Sequence, residues 1–211
     1  MLTLFYAPNA CSLASHIALE DAGAAFEAVR IDTAGGQQRT ADYHQINPKG
    51  RVPALATERG ILTESPAILA YIALRFAQAR LAPIDDPFAF AEVQAFNNFI
   101  SSSVHIAFAH VFRPARFAEG EDAAAAMRAF APVAIGDYLG LIEERLADGR
   151  PYVHGDAYSI SDPYLFVMAR WLARDGVGDA NRFPLILAHR ARMNLRPSVR
   201  KVLAREGLAV I

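Results

Sequence analysis

The sequence predicts an α/β fold over its first 80 residues and an all-helical fold over the remainder. Strand and helix patterns alternate up to about residue 80, as βαβ followed by ββα, whereas beyond it the apolar residues recur at helical spacing. Between the two, Leu81-Ala82-Pro83-Ile84-Asp85-Asp86-Pro87 reads as a linker, which divides the chain into domains at 1–80 and 88–211 joined by 81–87.

Leu2-Thr3-Leu4-Phe5-Tyr6 has strand character, and a helix begins near Leu13, carries His16, Ile17, Leu19 and Glu20, and stops at the turn signal Ala22-Gly23. Phe26 to Ile31 is the second strand and completes a βαβ unit. A polar, Gly-rich stretch from Thr33 to Asp42 follows, then the turn Asn47-Pro48-Lys49-Gly50. Arg51 to Thr57 reads as the third strand, and Arg59-Gly60 turns it into Ile61-Leu62-Thr63 as a hairpin. Pro53 supplies no ladder N–H, so Val52-Pro53 belongs at a strand start or an edge. Ser65 is a preferred N-cap and Pro66 a preferred first helical residue, and Ile68, Leu69, Ile72 and Phe76 then share one helical face. In the second half the spacing of Phe96, Phe99, Ile100 and Val104 is helical. Ser159-Ile160-Ser161-Asp162 is a capping-box pattern with Asp in the acidic position, a structural signal.

A chain of 211 residues, 53% apolar and of net charge −1, suits one moderately large globular body or two small domains, and it lacks the basic excess of a nucleic-acid binder. No apolar run approaches the roughly 20 residues that cross a bilayer, and no basic segment with a long apolar core opens the chain. The expectation is a cytoplasmic protein without membrane contact, and the single cysteine excludes an internal disulfide. The basic run Arg190, Arg192, Arg196, Arg200, Lys201 and Arg205 reads as a solvated face. The histidines form no metal-ligand constellation: His105 and His110 stand about 140° apart on an ideal helix, so no metal site is expected.

Cys11 is the residue with most chemical potential. Between a strand and a helix it meets unpaired backbone N–H groups and the positive end of a helix dipole, which favour thiolate over thiol. The competing reading is a buried cysteine acting as a small hydrophobe. Ser12 shares that first turn, and either side chain can donate to a thiolate.

Three short motifs in this order carry a resemblance. Ala7-Pro8-Asn9-Ala10-Cys11-Ser12-Leu13 with His16, Asn47-Pro48-Lys49-Gly50-Arg51-Val52-Pro53, and Thr63-Glu64-Ser65 resemble the thioredoxin-like half of cytosolic glutathione transferases, the bacterial beta class in particular. The helical half extends the likeness through Asn98 and Ser103-Val104-His105. The resemblance implies a dimeric enzyme that conjugates glutathione, its co-substrate, to hydrophobic electrophiles, with Cys11 also open to thiol-disulfide exchange or reductive dehalogenation. It implies catalytic roles for Cys11, Ser12 and His105. It implies glutathione contacts at Tyr6, Cys11, Lys49, Val52, Pro53, Glu64, Ser65, Asn98 and His105, and an electrophile pocket from Pro8, Phe108, Val111 and Phe112.

The chemistry of glutathione agrees with that assignment. Ser65 at a helix start can hold the γ-glutamyl carboxylate, Glu64 can face the amine, and the N–H and C=O of Val52 beside a cis proline can pair with the cysteinyl backbone. A hydrogen bond to the thiolate is worth roughly 1.5 to 3 kcal/mol, about one to two pKa units, enough to ionise glutathione near neutral pH. His105 is either a thiol partner or a helix histidine satisfied by a neighbour. The chain departs from the class at Ala34-Gly35-Gly36-Gln37-Gln38-Arg39, where a lysine for the glycyl carboxylate is missing and Arg39 or Lys49 stands as substitute. It departs again where Ser103 and Ile106 flank the helix histidine in place of acidic and basic residues. Phe108, His110, Val111, Phe112 and Arg113-Pro114 in sequence make the expected second-substrate pocket aromatic and apolar, although Phe residues at this spacing also suit a core, and Phe88, Phe90, Phe96 and Phe99 read as core or dimer contacts. Two alternatives stand open: Ser12 stabilises the thiolate with Cys11 a bystander, or the chain is a non-catalytic member of the fold acting through protein contacts, like the stringent starvation protein.

Overall fold

In the computed structural model, which describes residues 1–211, the strands are β1 (Leu2–Tyr6), β2 (Phe26–Arg30), β3 (Ala54–Thr57) and β4 (Gly60–Thr63), in sheet order β2-β1-β3-β4. β1 and β2 run parallel with Leu2 opposite Phe26, a pairing that needs a crossover, and α1 (Ser12–Asp21) supplies it. β3 lies antiparallel to β1 and to β4, with Leu55 opposite Leu4 on one side and Leu62 on the other. The third strand starts at Ala54, not Arg51, because Arg51 to Pro53 stay outside the ladder and the Val52–Pro53 bond is cis.

A short helix, α2 (Ala41–Ile46), escapes the sequence pattern because six residues show no periodicity. Thr40 caps it, its hydroxyl accepting the Tyr43 N–H at 3.3 Å. α3 (Ser65–Arg75) includes Ser65 as its first residue. The cap position therefore falls to Glu64, at φ 74°, instead of to Ser65, and no side chain caps this end.

From Pro87 the chain is helical without a break to Phe112, as α4 (Pro87–Phe99), a π-helical turn over Ile100–Val104 and α5 (His105–Phe112). Asp86 caps α4 through the Phe88 and Ala89 amides at 3.0 and 3.1 Å. The wide turn shifts the phase of the helical faces at His105; such turns are frequent at functional sites. α6 (Glu121–Leu146) is long enough, and apolar enough by composition, to cross a bilayer, which the sequence reading did not anticipate. Only one stripe of it is buried, Ala124, Ala131, Ile135, Leu139, Ile142 and Leu146; the rest carries the exposed charges Asp122, Arg128, Asp137 and Glu144 together with the exposed apolar side chains Phe130, Val133 and Leu141. α7 (Ser161–Trp171) is buried at every residue; α8 (Pro184–Asn194) and α9 (Pro197–Glu206) close the fold around it.

One continuous apolar cluster runs from Leu2 and Leu4 in the sheet to Val202 and Leu203 in α9. Polar ties cross the same boundary. His16 Nδ1 lies 2.8 Å from Glu206 in a fully buried pair, and Asp21 receives Tyr158 at 2.5 Å and Arg196 at 2.8 Å. The basic run is therefore only in part a solvated face: Arg200, Lys201 and Arg205 are exposed, whereas Arg190, Arg192 and Arg196 are half-buried. Arg190 and Arg192 donate to the carbonyls of Ala169 and Pro151, Lys201 pairs with Glu20, and Arg196 also covers the ring of Tyr158 at 3.6 Å.

Candidate functional site

A cavity of about 620 Å³ opens between the sheet edge formed by the C-terminal ends of β1, β2 and β4 with the start of β3, and the helical half. Its floor is the loop after β1. Asn9 turns the chain there at φ 56°, a conformation that Asn tolerates through its short polar side chain. Three groups hold it from outside: Trp171 Nε1 donates to its carbonyl at 2.9 Å, Arg170 to its side chain at 3.3 Å, and its own N–H to Glu206 at 3.1 Å. That clamp fixes Pro8 and Cys11 against the cavity.

Cys11 occupies the cap position of α1, half-buried, with Sγ 3.4 Å from the Val52 carbonyl. The sequence left a thiolate and a buried thiol both open. Burial pushes the thiol up from its ordinary value; the neighbouring Ser65 hydroxyl, the local backbone amide and Arg113 oppose it less strongly. The protonated thiol spends its donor on Val52, so of the two Val52 backbone groups expected to be free, only the N–H lacks a partner. Ser12 is removed from the catalytic candidates. It is fully buried, and its hydroxyl accepts the Ala7 N–H at 3.1 Å and faces the Ala7 carbonyl at 3.2 Å, closing the preceding loop instead of facing the cavity.

The second wall is the loop from Asn47 to Pro53. Tyr43 and Asn47 both donate to the Arg51 carbonyl, at 2.8 and 2.6 Å, and pin the segment beside Cys11. Gly50 turns it at φ +60°, where a Cβ would stand 3.0 Å from the Gln38 carbonyl and 3.2 Å from His44, so only glycine fits. Val52 and Pro53 line the cavity as expected; Lys49 does not. Its ammonium pairs with Glu64 at 2.5 Å and donates to Thr63 at 2.7 Å, which makes it a brace for Glu64. Glu64 is the only carboxylate on the cavity wall, and Ser65 lies next to it.

The third wall comes from α5 and α7. His105 faces the cavity with its ring 5.0 Å from Trp171 and tilted edge-on. Burial, then Arg116, Arg113 and Arg51, lower its pKa to about 4, so the imidazole is neutral at pH 7 and offers an N–H, not a charge. Phe112 lines the cavity, but Phe108 is fully buried against Trp171 and Val111 packs by Gly176. The phase shift of the π turn sends Ile106, Ala109 and Phe112 inward. Tyr6 is 5% exposed and packs on His16 beneath the sheet, away from the cavity, and Asn98 is exposed on α4, where its carbonyl accepts Ser101 and Ser102.

Several residues on the wall were not foreseen. Tyr164, Trp171 and Arg174 arrive from α7 and the turn after it, Thr33 and Gln38 from the loop after β2, Arg51 from the loop before β3 and Arg116 from a single 3-10 turn after α5, beside Arg113, which the expected pocket sequence includes. The pocket expected to be aromatic and apolar is therefore rimmed by arginines. No group of three His, Cys, Asp or Glu side chains lies close enough to hold a metal ion.

Comparison with known proteins bears on this arrangement. Residues 1–74 match the family model described as glutathione S-transferase, N-terminal domain. Over 98% of its length the chain is 33% identical to the whole of glutathione S-transferase GstA of Escherichia coli O157:H7. Among solved structures it is similar, with TM-score 0.91, to a glutathione transferase homologue from Sulfitobacter with bound glutathione, at 38% identity and 99% coverage of both chains. It is similar, with TM-score 0.86, to a beta-class glutathione S-transferase from Sphingomonas chungbukensis, at 38% identity over 98% of this chain and all of that one.

Proposed function

The chain belongs to the bacterial glutathione S-transferase family, and from that premise we propose that the cavity binds glutathione and conjugates its thiolate to an electrophilic carbon. One observation carries the reading: Cys11, Val52 with its free backbone N–H and the Glu64-Ser65 start of α3 converge on a single cavity. In this reading residues 1–80 bind the tripeptide and 88–211 cover the second substrate. The γ-glutamyl carboxylate sits at Ser65 and the first amides of α3, its ammonium faces Glu64, and the cysteinyl N–H and C=O pair along Val52. Arg51 takes the glycyl carboxylate in place of the lysine the class carries, because Lys49 is committed to Glu64. The start of α1 and the surrounding guanidinium groups make the cavity positive, which favours the ionised thiol of the bound tripeptide.

Conjugation is favoured over thiol-disulfide exchange by the state of Cys11. Exchange requires its thiolate, and burial holds it protonated. Glutathione binding measured by calorimetry tests the proposal. The wild type is expected to bind, and Ser65→Ala to bind about ten times more weakly or worse, the loss that goes with one charge-assisted hydrogen bond. No binding by the wild type would turn the reading toward a non-catalytic partner protein.

The homodimer implied by the family has apolar surface available on α4, where Phe88 is 76% exposed, whereas Phe96 of the same helix is buried. Phe88→Asp is expected to lower the sedimentation coefficient toward that of a monomer. An unchanged value would place the contact elsewhere.

A further inference from the structure

Building on the glutathione reading above, we propose that Arg113, Arg116 and Arg174 form an anion subsite that selects second substrates made of a planar aromatic body bearing a carboxylate. Together with Arg51 they put four guanidinium groups around one cavity, against a single carboxylate, Glu64, that Lys49 already neutralises. None of the four has an acidic partner; the arginines that form salt bridges are Arg128, Arg150, Arg196 and Arg205, all elsewhere. Like charges gathered without counter-ions oppose folding, and here they depress one another: Arg51 and Arg113 pull Arg116 down after burial, and Arg113 pulls Arg174 down. A bound anion removes that cost.

Glutathione accounts for part of the charge but not all of it. Its γ-glutamyl carboxylate goes to the start of α3 and its glycyl carboxylate to Arg51, beside Gln38 and Asn47. Arg174 lies in a different quarter. It follows α7, lines the large cavity and not the small cationic annex that Arg51, Arg113 and Arg116 share with Arg39 and Lys49. Its guanidinium lies over the Phe112 ring at 3.6 Å, a stack that fixes the plane and leaves the N–H edge free for bidentate contact with a carboxylate. Phe112, Trp171, Ile106 and Ala109 supply the apolar surface for the aromatic body.

The test uses two electrophiles that react alike: 1-chloro-2,4-dinitrobenzene, which is neutral, and 4-chloro-3,5-dinitrobenzoate. In each the glutathione sulfur forms the new C–S bond, the C–Cl bond breaks, chloride leaves with the bonding pair and the thiol proton passes to solvent. The readout is the ratio of kcat/KM for the benzoate to that for the neutral compound, each divided by its uncatalysed rate. The wild-type ratio is expected to exceed one by about tenfold, to fall as salt screens the arginines, and to drop about tenfold in Arg174→Gln through a higher KM, with partial recovery in Arg174→Lys. A ratio near one that Arg174→Gln leaves unchanged would overturn the subsite while the glutathione reading stood. Calorimetry with glutathione alone separates the remaining cases. One tripeptide per chain supports the assignment, two would give the arginines to a second tripeptide and overturn it, and none would bring down both readings.

Discussion

Asp162→Ala is expected to cost about 3–5 kcal/mol of stability, the usual penalty for removing one partner of a buried charged network. The carboxylate is fully buried and accepts the Val153 N–H at 2.9 Å, the Ser159 N–H at 2.7 Å and the Ser159 hydroxyl at 3.2 Å, with His189 Nε2 2.9 Å away. Alanine leaves all four donors in the core without an acceptor, each costing about 1–3 kcal/mol less whatever relaxation recovers. For a chain of this size that lowers Tm by roughly 10 °C, readable by calorimetry. Asp162→Asn keeps the volume and part of the acceptor capacity, so its loss is expected to be smaller. If the alanine variant unfolds within a degree or two of wild type, the segment from Val153 to Ser159 has other support.

The consequence reaches the site because α7 starts at this carboxylate. Ser159 Oγ accepts the Ser161 N–H at 3.2 Å while Asp162 reaches back to the Ser159 N–H, the reciprocal cap that the sequence pattern announced. α7 then presents Tyr164 and Trp171 to the cavity and leads into Arg174.

The parts of the site that were legible in the sequence are those set by local chemistry. Cys11 stands where a strand meets a helix, Val52-Pro53 where proline breaks a ladder, and Glu64-Ser65 where Ser-Pro starts a helix; each is readable within a few residues. Ser12 misled because adjacency in sequence is about 100° of rotation on a helix, which turned it to Ala7. Phe108 and Val111 misled because a π turn upstream changes which face looks inward, and no periodicity announces such a turn. Tyr164 and Trp171 had no signal at all: a helix buried all round shows no face to distinguish cavity from core. The arginine run of α8 and α9 looked solvated because its partners Glu20 and Asp21 lie more than 170 residues away in the chain. Separation along the chain, though shorter, likewise hid the convergence of Arg51, Arg113 and Arg174 on one cavity.

Cys11→Ala is expected to abolish any mixed disulfide with glutathione, since no other thiol exists, and to lower conjugation about tenfold. The two losses have different causes, and pH separates them. Cys11 reacts with a disulfide or an alkylating agent only as thiolate, and its raised pKa keeps the proton to higher pH than an ordinary cysteine. Alkylation is therefore expected to be slow at pH 7 and still climbing above pH 9. Conjugation runs through the glutathione thiolate, stabilised by the positive cavity and by the Cys11 S–H, which is released to it when the cysteinyl N–H of the tripeptide takes over the Val52 carbonyl, so its rate should level off at lower pH. His105 adds no inflection near 6.5, because its pKa lies at about 4 and it is neutral across that range. Cys11→Ser keeps a donor while losing the nucleophile, and is expected to conjugate better than Cys11→Ala while forming no disulfide. Coincident pH profiles for alkylation and conjugation, or a serine variant as impaired as alanine, would instead make Cys11 the reacting nucleophile.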